Sequence, residues 1–308
     1  TTTSAPFHRQ QQQVEAAATG AAAALGVLTS PLNANKGTTM SRVLAVRECR
    51  SIAPEPEAIQ FVYVFEVGGS AAAGALTSTL LLQTVVAAVA TACASRFPQA
   101  SVVHLAALSY YGPNVAALAT AALCRGDGSV AAVVSLAINA SLLGVAVASA
   151  WSLAAHHRAL WKEARDPGSA LVRIYGAVDL ASAFAVGTLS GAGGLTCTTR
   201  GALMCAACLV NLAHAVLVRP AVRPLDNALA VMTALLVFGL ALLSVAAPRE
   251  PIYDSTVFAL AAAVAAWMYL LLALALATAV RRFLSRNAAK GKMEKGPVAI
   301  FNDSSSRR

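Results

Sequence analysis

Apolar positions in this chain come in seven long blocks, at about residues 69–94, 102–124, 130–154, 174–195, 202–218, 228–247 and 256–280. Each is near the ~20 residues that a helix needs to cross a ~30 Å hydrocarbon layer. Stretches such as 80–94 and 257–280 are apolar on every side, the pattern of a helix surrounded by lipid or protein and not that of a one-faced surface helix. The pattern predicts an all-α, polytopic transmembrane bundle of seven spans. The fifth block is the shortest and is interrupted by Asn211 and His214.

Charge between the blocks gives the bundle a direction. Of the 23 Lys and Arg, fifteen fall on one side of a seven-span bundle. These are Arg96; Arg158, Lys162, Arg165 and Arg173; Arg219 and Arg223; and the tail from Arg281 to Arg308. The connecting loops of the other side hold only Arg125, Arg200 and Arg249, and a long N-terminal segment, which escapes the charge bias, holds the rest. The expected topology has the N-terminus outside and the C-terminus in the cytosol. Composition agrees: the chain is 57% hydrophobic and 12% charged, with mean hydropathy +0.65, against about 25% charged residues in a soluble domain.

Three regions follow. Residues 1–67 form an extracytosolic segment that opens Thr/Ser/Gln-rich, passes into the alanine run 16–24 and is expected to be a mobile tether or frayed helix. Within it, turn residues at 28–37 precede a short amphipathic helix over 38–47, and Met40 allows a start of the chain at that point. Residues 68–280 are the seven-helix domain. Residues 281–308 form a basic cytosolic tail, expected to be disordered. Its Arg281, Arg282, Arg286, Lys290, Lys292 and Lys295 lie where each charge gains ~1 kcal/mol from an anionic inner leaflet. The net charge of +9 therefore points to lipid as partner and not to nucleic acid.

Few residues carry chemistry. Asp179 is the only carboxylate inside a block, placed about one turn into the fourth span, where it either serves a polar path or pairs with Arg173. Asn211 and His214 share a face of the fifth span, and Asn114 and Asn139 are also embedded; all four fit interhelical hydrogen bonding. Asp226 and Asn227 fit the cap of the sixth span. Cys124 and Cys197 both fall at the outer face and are candidates for a disulfide, with Cys49 a rival partner for either. Cys205 and Cys208 lie within a span without the βαβ context of a redox motif, and His156-His157 lacks further ligands at metal spacing.

Several classes are excluded or unsupported. Lysine occurs only at 36, 162, 290, 292 and 295, so the seventh span offers no amine for a retinal Schiff base. The ends of the third and seventh spans lack the signatures of the large G-protein-coupled receptor class. No phosphate-binding glycine loop, HExxH, GxSxG or paired carboxylate is present, so no catalytic residue, metal or cofactor is expected. Packing is more legible: Ser70 with Gly74, and Gly187 with Gly191, allow close helix approach, and Gly112-Pro113 should kink the second span.

Residues 28–50 (LTSPLNANKGTTMSRVLAVRECR), 161–179 (WKEARDPGSALVRIYGAVD) and 218–231 (VRPAVRPLDNALAV) together resemble the C-terminal membrane region of the dispersed gene family of trypanosome surface proteins. The resemblance implies a surface protein whose large ectodomain serves adhesion, and this chain would be a truncated member or a fragment. It assigns no functional residue. The first expectation is thus a multi-pass surface protein, in the plasma membrane or at the cell surface, acting as anchor or interaction module with an extracellular protein or glycan as partner. The alternative is a transporter or channel-like subunit using Asp179, Asn211 and His214 as a polar path. A third is a seven-span receptor. Path-forming residues converge on one cavity; packing residues point to separate interfaces.

Overall fold

The computed structural model describes residues 35–47, 169–219, 224–246 and 251–294 continuously, and single positions within 13–33 and 109–148. Among the described residues every regular element is helical. The elements are α1 (Lys36–Arg47), α2 (Ala170–Gly191), α3 (Cys197–Val218), α4 (Pro224–Ala246) and α5 (Pro251–Glu294). Helices α2, α3 and α4, and the Tyr253–Ser285 portion of α5, are long and apolar enough to cross a membrane. These four helices mark an integral membrane protein. Of the seven expected spans, the block at 69–94 lies outside the described residues, and those at 102–124 and 130–154 are described only at single helical positions.

Local chemistry sets the helix ends, and it moves two boundaries expected from apolarity. Helix α2 follows Pro167-Gly168 in sequence, takes Ser169 as an extended N-cap and closes at Gly191, where the Ala192 N–H bonds the Leu189 carbonyl at 3.2 Å. It therefore begins four residues before the expected 174 and ends before the expected 195. Gly193-Gly194 turns the chain, and the Thr196 hydroxyl accepts the Thr199 N–H at 3.2 Å, opening α3 at Cys197. Such a cap stabilises a helix start by ~1 kcal/mol. The fifth block is consequently not a short span: α3 has 22 residues. Arg200, expected in an outer loop, lies inside α3 and is buried, with Nη1 3.5 Å from the Ser190 carbonyl.

Helix α3 stops at Arg219, which adopts the left-handed conformation (φ 45°) ahead of Pro220, a residue that cannot continue the helix. Helices α4 and α5 each open on a proline, with Asp226 and Asp254 in their first turns, where the missing proline N–H is harmless and an anion complements the helix dipole. Helix α5 continues through Arg281 to Glu294. The first part of the tail expected to be disordered is therefore helical, because no proline or capping glycine interrupts it at the end of the apolar block.

Each of the long helices α3 and α4 turns one stripe inward and leaves apolar side chains exposed on the rest of its surface. On α3 the inward stripe is Met204, Cys208, Asn211 and Ala215, at spacings of four, three and four, while Leu203, Leu209, Val210, Val216 and Leu217 face outward. On α4 it is Thr233, Ala234, Val237, Leu240, Ala241 and Ser244. Helix α5 lays Val257, Ala261, Val264 and Met268 against it. The Trp267 indole N–H reaches across to the Thr233 hydroxyl at 3.0 Å, which itself bonds the Leu229 carbonyl. Trp267→Phe should lower stability by about 0.5–1.5 kcal/mol in thermal melts of the full chain in detergent. An unchanged melt would show that this bond does not tie α5 to α4.

The N-terminal part of the chain departs most from expectation. Ala18, Ala21, Ala22 and Leu25, at one-faced helical spacing, are buried, and α1 lies in the groove formed by α2, α3 and α4 with Met40, Val43 and Leu44 inward. Residues expected to form a tether ahead of the bundle are part of its core. Alanine is small enough to let backbones approach, which is how helices associate where lipid removes the hydrophobic drive.

A second close approach involves helical positions 109–124. A methyl group at Gly187 would overlap the Pro113 carbonyl oxygen, one at Gly191 the Ala117 carbonyl oxygen, and one at Gly112 the Phe184 ring. The small-residue spacing Gly187/Gly191 thus marks a backbone-to-backbone contact. Contact positions rise together along both segments, so the two helices run parallel. Ser70 and Gly74 lie outside the described residues.

Candidate functional site: a buried polar cluster at mid-helix

Asp179 is the tenth residue of α2, ~14 Å along an axis rising ~1.5 Å per residue, and so lies near the middle of the span and not near its end. The carboxylate is 2% exposed. The Arg173 side chain, the partner expected from sequence, lies outside the described residues. The Lys36 ammonium, at the first position of α1, forms an ion pair with Oδ1. The Asn211 Nδ2 group donates to the same oxygen at 2.8 Å, and the Asn35 Nδ2 group donates to Oδ2 at 3.4 Å. The carboxylate thus ties together α1, α2 and α3. Asn35 is held in turn through its carbonyl, which accepts the Thr38 hydroxyl at 2.8 Å. A carboxylate at such depth is tolerable only when an opposite charge and several donors replace its hydration.

One turn away a second contact links the same helices. His214, three residues beyond Asn211, stacks on Tyr175, four residues before Asp179, with ring centroids 5.9 Å apart. Arg200 meets Ser190 near the other end of the pair. The three contacts step in opposite directions along α2 and α3, as in an antiparallel hairpin.

The cluster lines a small cavity with Thr39, Ser182 and Val237 among its walls. The space open to the centre of a water molecule is about 20 Å³. One water needs ~10–15 Å³ on that measure, so the cavity holds roughly one, or one small ion. Polar capacity is left over: among the described residues Asn35 Oδ1 and Asn211 Oδ1 are buried without a hydrogen-bond partner, as is His214 Nε2 outside the cavity wall. Each such orphan carries a desolvation penalty of ~1–3 kcal/mol unless something outside the chain satisfies it.

The other expected site residues divide. Asn114 and Asn139 lie outside the described residues. Cys124 is a free thiol, whereas Cys197 is disulfide-bonded, so the expected bridge between them does not form. The rival partner Cys49 lies outside the described residues. Cys205 and Cys208 are free thiols, Cys208 within the core and Cys205 half-buried against it. Arg281 and Arg282 are exposed on α5; Arg286, Lys290 and Lys292 continue the same helix, and Lys295 lies outside the described residues. Among the described residues no group of three His, Cys, Asp or Glu side chains is placed to hold a metal ion.

Asn35 and Lys36 are the functional candidates that sequence reasoning missed. The available signal was the polar island Asn33-Ala34-Asn35-Lys36 between two apolar runs, the alanines of 16–24 and Val43 to Val46. Comparison with protein-family models, with curated proteins and with solved structures found no match for this chain.

Proposed function

We propose that this protein carries a small solute or ion across a membrane, with the Asp179 cluster on its path. The observation that carries the reading is convergence: Asp179, Asn211, Asn35 and Lys36 come from three helices to one cavity instead of pointing to separate interfaces. A static anchor gains little from a buried ion pair, since an apolar contact of similar volume is as stable or more so. The anchor or adhesion reading asks for an outward-facing juxtamembrane segment, whereas α1 is packed among α2, α3 and α4.

In this reading the chain crosses the membrane seven times, with its C-terminus in the cytosol. The excess of Lys and Arg on one side supports that orientation. The parallel pairing of 109–124 with α2 supports an odd number of crossings between them. A plasma-membrane location belongs to the same proposal.

Flux decides it. The full chain, reconstituted in vesicles, is compared with Lys36→Gln/Asp179→Asn, which removes both charges together and keeps the interior neutral. Screened with radiolabelled sugars, amino acids, nucleosides and alkali cations, the wild type should carry at least one class. The double variant should lose about tenfold or more of that flux, the effect of ~1.4 kcal/mol, with unchanged helix content and elution. Equal flux in both proteins, or none in the wild type, sinks the reading.

A further inference from the structure

We infer that Asp179, Asn35 and Asn211 form a binding site for a sodium-sized monovalent cation, in which the Lys36 ammonium is a tethered competitor. The inference rests on the transport reading for its consequence but not for its chemistry. The surroundings of the carboxylate are rich in oxygen: two oxygens of Asp179, the amide oxygens of Asn35 and Asn211, and the hydroxyl-bearing side chains of Thr39 and Ser182 all belong to residues that line one cavity. Hard cations are held by such sets of carboxylate and amide oxygens.

Two features single out a cation as the missing partner. The Asn35 and Asn211 amide oxygens are buried and accept no hydrogen bond among the described residues, although their own NH2 groups both bond the carboxylate. Rotating either amide by half a turn brings its oxygen toward Asp179, a placement that two negative oxygens resist unless a cation stands between them. The second feature is charge. A single carboxylate balances one positive charge, which Lys36 now supplies, so an incoming monovalent ion replaces the ammonium without leaving a net charge in the interior. The cavity has room for one ion of water size or smaller beside the carboxylate.

Because Lys36 opens α1 and Asn35 immediately precedes it, exchange of the ammonium for an ion removes the strongest link between α1 and α2. Ion binding and the position of α1 are then coupled, each state favoured by its own contact with Asp179.

The test is thermal unfolding of the purified full chain in choline chloride, with sodium chloride substituted at constant total salt. Sodium should raise the wild-type melting temperature by a few degrees, saturably. Lys36→Met should reach the same protection at about tenfold lower sodium or less, because removal of an internal competitor raises the competent fraction. Lys36→Met/Asp179→Asn should melt alike in both salts. Protection by potassium as well as sodium supports the site equally. A wild type that melts alike in sodium and choline overturns the inference, as does sodium protection that survives in the double variant. If Lys36→Met yields no folded protein in any salt, Asn211→Leu takes its place: weakened sodium protection supports the site, and undiminished protection overturns it. Loss of this inference leaves the flux test untouched, since flux needs no coupling ion. Sodium binding without flux leaves a bound ion and removes the transport reading.

Discussion

Asp179→Leu should destabilise the protein by about 3–5 kcal/mol, the effect of leaving a buried charge without its partner. Lys36 and two asparagine amides would then face an apolar side chain with nothing to replace the carboxylate. The informative experiment is a double-mutant cycle with Lys36→Met, read by thermal unfolding in detergent at constant salt. Lys36→Met alone should cost a similar amount, and the pair Lys36→Met/Asp179→Leu should return to within about 1 kcal/mol of the wild type or exceed it, because two apolar groups need no hydration. Additive losses in the pair would mean that the two residues act separately, and the cluster would lose its central contact.

The second large effect concerns main chain, not charge. Gly187→Val should lower stability by about 3 kcal/mol or more, since overpacking typically costs 1–3 kcal/mol and here the obstacle is the Pro113 carbonyl, which has no rotamer to escape into. Gly187→Ala gives a sharper sign test. In an open helix it would add up to about 1 kcal/mol of stability through propensity alone. Against Pro113 it should destabilise instead, and so should Gly191→Ala against Ala117. A stabilised Gly187→Ala variant would show that these helices do not touch there.

Helices α2 to α5 were legible because hydrophobic length is read from local sequence. Their ends were less so, since apolarity does not stop where hydrogen bonding stops. Leu195 looks like span but lies beyond the Gly193-Gly194 turn, and Arg200 looks like loop but is buried where Ser190 accepts its guanidinium. Asp179, Asn211 and His214 stood out as polar residues in apolar blocks. Their meeting could not be read, because it depends on helix rotation and on Lys36, whose segment lacks the unbroken apolar length of a span. Gly187 and Gly191 announced a close neighbour without naming it, as small residues do: what they admit is set by the other helix.

The ion pair also has a consequence for how the protein is made. Lys36 and Asp179 stand 143 positions apart, and at ~5–20 residues per second the ribosome adds the carboxylate roughly 7–30 s after the amine. During that interval Lys36 lacks the carboxylate that it pairs with in the finished fold, whichever helices have already entered the bilayer. Its docking is therefore a late assembly event, and completion of the fold is timed by the arrival of α2.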